Sequence, residues 1–396
     1  MKTRNVRKVI IMGTVKTLFC GALIDCTGAP ARHSCVVEVE DDRIVSVTAG
    51  SREVPKAAID LSDCTVLPGF VDCHDHLGID MGDEVAQSKE PFAYTAIKGV
   101  RNARDILRKG VTTVRDVGEQ EFIDVSWRRA IREGLIEGPN LLISGKFITR
   151  TGGHAWFFGN EVDGVDAIRR SVREQLKQHV DWIKLMVSGG SSTPGSVVMM
   201  AEYSEAEIAA CIDEAHRGGK KVAAHIHGGP GAAWAIRHGV DTIEHGAFLT
   251  DDDLKMMADK GTWLVSTAGL IWAILNTPGM PPDYLVKARK SFDCAKSTIG
   301  KARRYGVKLA YGGDTYHGHP AVELSLLMEE GFSPIEALQV LTINGATLCD
   351  LGDVTGTVEV GKQADIVAVK GEPTKDPMCL EAVRFVMKGG QVYVGG

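Results

Sequence analysis

Three pairs of histidines separated by one residue stand out along the chain: His74/His76 in "GFVDCHDHLG", His225/His227 in "VAAHIHG" and His317/His319 in "DTYHGHPA". Imidazole is the commonest protein ligand for zinc and similar cations. In a strand the side-chain period is two, so each of the first two pairs presents both rings to one face, as two ligands of one metal must. The third pair is flanked by Gly and Pro, which predicts a loop whose histidines are not held rigidly. One such pair is more often two satisfied polar side chains than a metal site. Metal chemistry therefore requires convergence with further donors.

Donors so far apart in sequence meet only if the fold gathers them. From residue 112 onward the chain alternates short β-rich runs with amphipathic, capped segments. The runs are "TTVR", "NLLISG", "WIKLMV", "KVAAHI", "VDTIEH", "TWLVS" and "VKLAYGG", preceded by "TVLPGFVDC", which makes eight. Ser204 with Glu207, and Ser333 with Glu336 behind Pro334, read as capping boxes that open helices, and Gly110 and Gly261 as stops. Strands alternating with helices give a parallel sheet, and eight such units predict an α/β protein, a closed (β/α)₈ TIM barrel, over residues 67–353. The two ends, 1–66 and 354–396, carry alternating strand-like runs such as "CVVEVE", "RIVSVTA" and "DIVAVKG" with little helical period. They are expected to build one small β-sandwich domain together.

Composition narrows the function classes. The 396 residues are 44% hydrophobic and 24% charged, enough for a large core. A net charge of −6 gives no basic field for nucleic acid, and no run is long enough to span a membrane. Nine cysteines without a C-x-x-C read as reduced thiols of an intracellular protein. Lys2, Arg4, Arg7 and Lys8 before "VIIMG" mimic a signal peptide, but the apolar stretch is short and no small-residue cleavage site follows, so the cytoplasm is expected.

A barrel of this kind keeps its chemistry at the C-terminal ends of its strands. The candidate donors fall there: His74 and His76 after the first strand, Lys184 in the fourth, His225 or His227 in the fifth, His245 in "DTIEHG" after the sixth and Asp314 after the eighth. Lys184 stands among apolar neighbours in "DWIKLMV", where burial lowers its pKa. A neutral amine there can capture carbon dioxide as a carbamate, whose oxygens can bridge two cations.

The stretches "PGFVDCHDH", "GVTTVRDVG", "TGGHA", "IKLMVSGG", "VAAHIHG", "DTIEHG", "YGGDT" and "GTVEVGKQADIVAV" stand in the order, and span the length, of the amidohydrolase superfamily. More narrowly, they resemble its metal-dependent dipeptidase and carboxypeptidase branch, the Xaa-Pro dipeptidase-like proteins. The resemblance implies one divalent metal on His74, His76, Lys184 and Asp314 and a second on Lys184, His225 and His245, zinc being expected at both. It selects His225 over His227 as the ligand. It also implies a carboxylated Lys184, and water activated by the two ions for attack on an amide whose amine half is a C-terminal amino acid. Asp314 would carry the proton to the leaving amine, with His154 acting beside it. His154 and Tyr203 would contact substrate, and His227 would line the pocket. Asp75 should face away from the metals, and His33, His179, His216 and His238 read as ordinary. Trp156, Phe157 and Phe158 stand where the branch carries smaller or polar residues; they either fill core or make the mouth of the pocket apolar. The competing readings are hydrolysis of another amide, such as a cyclic amide, urea or carbamate, and a superfamily deaminase. A deaminase needs a glutamate three residues after His225, where this chain has Gly228. The expected partners are a small-molecule substrate and further copies of the chain in a homo-oligomer, with no nucleic acid and no membrane.

Overall fold

A computed structural model of the chain describes residues 15–51 and 53–395; the basic segment from Lys2 to Lys8 lies outside them. Eight parallel strands form the barrel: β1 (Phe70–Asp75), β2 (Val111–Asp116), β3 (Asn140–Ile143), β4 (Trp182–Met186), β5 (Lys221–Gly228), β6 (Thr242–Phe248), β7 (Trp263–Ser266) and β8 (Leu309–Tyr311). β1–β3 and β4–β8 pair as two parallel runs. Two joints close the ring. Asp181 N–H donates to the Ile143 carbonyl (2.8 Å) between β3 and β4, and a parallel bridge joins Asp75 to Asp314 between β1 and the end of β8.

The strand periodicity sorts the side chains. On β4, Ile183 and Leu185 point outward into the main core, against helix residues such as Ile208, Ile236 and Leu254. Trp182, Lys184 and Met186 point inward. Trp182 belongs to an apolar plug with Val71, Ala223, Val265 and Ala310 that fills the floor of the barrel. The two capping boxes are present, at Ser204/Glu207 before the helix Glu205–Arg217 and at Ser333/Glu336 before Pro334–Val340. Gly261 ends the helix Asp251–Lys260 in the left-handed conformation.

Both chain ends share one seven-stranded mixed sheet. Its order is Gln391–Val394, Val383–Lys388, Ile366–Val369, Ile59–Pro68, Val15–Leu23, Arg32–Glu40, Arg43–Thr48. Front and back meet where Ile59–Pro68 runs antiparallel to Ile366–Val369. The sheet has a core of its own, from Leu18, Val37 and Val39 to Phe385 and Met387, while Val367, Val369 and Val386 pack into the barrel's core. "TVLPGFVDC" therefore contains two elements: it belongs to the small sheet up to Pro68 and to the barrel from Phe70. All nine cysteines are free thiols. No helix among the described residues is long and apolar enough to cross a membrane.

Candidate active site

The inward side chains at the C-terminal ends of the strands surround one chamber. His74, His76, His154, Lys184, His225, His227, His245 and Asp314 all line it. Ligand atoms of His74, His76 and Asp314 lie within 4.8 Å of one another. The rings of His225 and His245 stand beside them, with centroids 4.5 Å apart and His245 4.8 Å from His74. Lys184 Nζ is 3.5 Å from His74 Nε2. Its position is central enough that, after burial itself, its charge is among the causes that depress the basicity of all six imidazoles.

The donors fit a divalent metal on chemical grounds. His76 Nδ1 faces the Gly118 carbonyl (2.8 Å), which only accepts, so the proton is on Nδ1 and the Nε2 lone pair is free. His74 Nδ1 likewise faces Glu244 Oε2 (2.7 Å), leaving Nε2 towards Lys184 and, at 3.8 Å, Asp314 Oδ2. Burial pushes both imidazoles towards the neutral form, His76 to about 3 and His74 well below the usual histidine value. Neutral imidazoles with a fixed tautomer are what a cation requires. Burial also lowers Lys184 to about 8, against the attraction of Glu244 and Asp314, and raises Asp314 to about 7.

Two of the expected ligands depend on backbone that an L-residue rarely adopts. On β6 the alternation aims Thr242 and Glu244 inward, so the next residue should point away. His245 reaches the chamber because its φ is 71°, and Asp314 does so with φ 56°. Left-handed conformations at non-glycine residues cost roughly 1–3 kcal/mol each and cluster at functional sites.

Sequence reasoning missed the group that positions His74. Glu244 and Arg115, both fully buried, pair through Arg115 Nη2 at 2.9 and 3.0 Å, and the Thr242 hydroxyl also donates to Glu244. The guanidinium lies 4.4 Å over the Trp182 ring. The signal was present: opposite charges inside the apolar runs "TTVRD" and "DTIEHG", the same anomaly that singled out Lys184. Also missed was an apolar wall formed by Leu270, Ile271 and Ile274 of the helix Ala268–Asn276, with Tyr284 and Ala288 of the helix Pro282–Tyr305. Helical spacing of such residues looks the same whether they face a core or a chamber.

The remaining expectations divide. His154 lines the chamber, its Nδ1 2.8 Å from Thr193 Oγ1 and its ring 4.2 Å from that of His225. Gly190 makes room for it, since a Cβ there would come within 2.1 Å of the ring. His227 lines the chamber too, with no partner at Nδ1. Tyr203 departs from its expected role. It is buried in the main core, its hydroxyl donates to the Val162 carbonyl (2.9 Å), and it is not part of the lining. Arg150, four residues before His154, pairs with Glu202 and is not part of the lining. Of the three aromatics, Phe158 lines the chamber, Phe157 packs behind it and Trp156 is 46% exposed.

The third histidine pair is in a loop, but it is held. His317 Nδ1 meets Asp75 Oδ1 at 3.0 Å and Nε2 faces the Ile79 carbonyl at 3.0 Å; His319 Nδ1 is 2.9 Å from Glu381 Oε2. Burial works against charge on His317, but Asp75 and Asp80 outweigh it and push its pKa up to about 10. Asp75 thus faces away from the metal donors, towards this clamp. The position a deaminase would need for its glutamate is closed, because a Cβ at Gly228 would lie 2.7 Å from the Phe248 carbonyl oxygen.

Comparison with known proteins agrees with this geometry. The model of the amidohydrolase family matches residues 65–395. Ochratoxinase of Aspergillus niger is 29% identical over 434 residues, covering 98% of this chain and 89% of its own. A Xaa-Pro dipeptidase crystallised with methionine in its active site superposes with a TM-score of 0.87 at 30% identity, over 96% of this chain and 100% of that one. A prolidase in complex with N-methylphosphonate-L-proline gives 0.89 at 30% identity, with the same coverage. The barrel, the donors at its mouth and these likenesses lead to one conclusion: the chain is a hydrolytic enzyme of the amidohydrolase family, similar to its dipeptidase-like branch.

Proposed function

We propose that this enzyme is a binuclear amidohydrolase that cleaves the amide bond to a C-terminal amino acid, in a dipeptide or an N-acyl amino acid with apolar side chains. The observation that carries the reading is the meeting of His74, His76 and Asp314 with Lys184, His225 and His245 at the rim of an apolar chamber. His74, His76, Lys184 and Asp314 would hold one zinc ion, and Lys184, His225 and His245 the other, with Lys184 carboxylated. Among the described residues no third acid, thiol or imidazole joins His225 and His245 at ligand spacing, which leaves Lys184 to complete that group. Bound there, two divalent ions would supply acidification of water and polarisation of the substrate carbonyl.

The chain's own groups do the rest. Asp314, whose carboxyl burial raises to about 7, accepts the proton of the attacking water and returns it to the leaving amine. With Thr193 Oγ1 already accepting the Ala155 N–H, its hydroxyl proton is available to His154 Nδ1. His154 then presents an Nε2–H to the substrate's carbonyl or carboxylate. Phe147, Phe158, Met186 and Leu270 take the apolar side chain out of water, a transfer worth about 1.5–3 kcal/mol for a leucine- or phenylalanine-sized group. The methionine in the Xaa-Pro dipeptidase site and the N-methylphosphonate-L-proline in complex with the prolidase support an amino acid as one half of the substrate. The test is a matched pair, N-acetylphenylalanine and its C-terminal amide, on the zinc-loaded enzyme. Loss of the carboxylate should lower kcat/KM by about 30-fold or more. Equal rates would reject the C-terminal preference and redirect the search to cyclic amides, ureas and carbamates.

A further inference from the structure

The helix Pro282–Tyr305 carries a charge where its spacing calls for none. Tyr284, Ala288 and Ser291 line the chamber, and Lys287 belongs to the same i, i+3, i+4, i+7 stripe. Its side chain is only 14% exposed, yet it is not part of the lining. Nζ donates instead to the Thr193 carbonyl (2.9 Å), in the loop that follows β4. Asp283, one turn earlier on the same helix, lies 3.3 Å from Nζ and is largely exposed.

Three segments meet at Thr193, which is itself buried. Its carbonyl accepts from Lys287, and its Oγ1 accepts the Ala155 N–H (2.8 Å) and stands 2.8 Å from His154 Nδ1. A threonine hydroxyl has one proton to give, and giving it to Nδ1 fixes the His154 proton on Nε2. The loop that presents this hydroxyl contains Gly189, Gly190 and Gly195, and Gly190 lies against the imidazole. Glycine-rich backbone has too much freedom to hold a hydroxyl in one place by itself. Within the loop the Thr193 carbonyl also accepts the Ser196 N–H (3.2 Å), and the tie from the chamber's roof is Lys287. A displacement of the roof helix is therefore passed to Thr193, and from there to the ring of His154.

We propose that Lys287 is a positioning residue: by tying the roof helix to the Thr193 carbonyl, it holds the hydroxyl that sets the tautomer and aim of His154. The inference rests on the reading of His154 as a substrate contact.

Two measurements on zinc-loaded enzyme test it. The first is a double-mutant cycle with N-acetylphenylalanine as substrate. Lys287→Met should lower kcat/KM by about tenfold in the native background, as misplacement of an orienting group does. In the His154→Asn background it should change kcat/KM by less than about twofold, because the ring it aims is gone. Asp283→Asn, which breaks the ion pair and leaves the Thr193 contact, should stay within about twofold of native. An equal fall from Lys287→Met in both backgrounds, or a fall in Asp283→Asn as large as in Lys287→Met, overturns the proposal. The second measurement needs no turnover. Nitrogen-15 histidine spectra, with the His154 signals identified by their loss in His154→Asn, should show an Nε2–H tautomer in the native enzyme and an averaged one in Lys287→Met. A native Nδ1–H tautomer, or His154 signals unchanged by the substitution, overturns the proposal as well. Should Lys287→Met fail to fold, Lys287→Gln takes its place in both measurements, since its shorter side chain falls short of the carbonyl. No hydrolysis by the native enzyme would refute the proposed reaction alone and leave the spectra to decide the role of Lys287.

Discussion

Burial holds the pKa of Lys184 near 8 although Glu244 and Asp314 pull the other way, so at neutral pH far more of it is the free amine than for a lysine in water. The free amine can react with carbon dioxide, and in the proposed binuclear arrangement the carbamate supplies the third ligand beside His225 and His245. Lys184→Ala should therefore lose the second metal together with activity, and elemental analysis would show the stoichiometry fall from about two to about one. Wild-type metal content in that variant would remove the lysine from the ligand set. Asp314→Asn separates binding from proton transfer: much of the metal should stay while turnover falls by about 10² to 10⁴. An unchanged rate would place the proton shuttle elsewhere. At this scale the sequence was readable for Lys184, a polar residue that interrupts an apolar strand. The roles of Arg115 and Glu244 were not, because charged residues in separate strands reveal their pairing only once the strands are adjacent.

The loop after β8 shows how an element restrains the site. Gly318 and Pro320 predicted loose histidines, yet His317 closes the barrel seam by joining this loop to Asp75 on β1. Asp75 is fully buried, so His317→Ala would leave a buried carboxylate without its cation, at a cost of about 3–5 kcal/mol. The sign of the pH dependence follows from the shift. The folded pKa of about 10 lies above the ordinary 6.5, so this contribution is complete below about pH 6.5 and is lost as pH rises towards 10. Urea unfolding of the two proteins should give a wide gap at pH 6 that narrows above pH 9. A gap independent of pH would mean that the loss is one of packing, not charge.

Across the whole molecule, the proposed ligands come from β4, β5 and β6 and from the residues at the ends of β1 and β8, so bound metal would tie most of the ring together. Ions that bind the folded state alone stabilise it by mass action. Chelation should lower the melting temperature by about 5 °C or more, and added zinc should restore it. A melting curve indifferent to both treatments would argue that the cluster holds no ion.

The sequence by itself determined what repeats locally: eight strand–helix units, caps such as Ser204/Glu207, strand-rich ends, and the order of the donors from His74 to Asp314. Those features follow from the 2.0 and 3.6 residue periods and from turn chemistry, which act over a few residues. The tertiary structure alone decided the aim of each group. It turned His245 and Asp314 inward through left-handed backbone, drew Tyr203 and Arg150 to Val162 and Glu202, and clamped His317 on Asp75. It also roofed the chamber with helices whose apolar residues could equally have filled a core. Each of these outcomes depends on which distant segment packs opposite, and no local pattern in the chain records that.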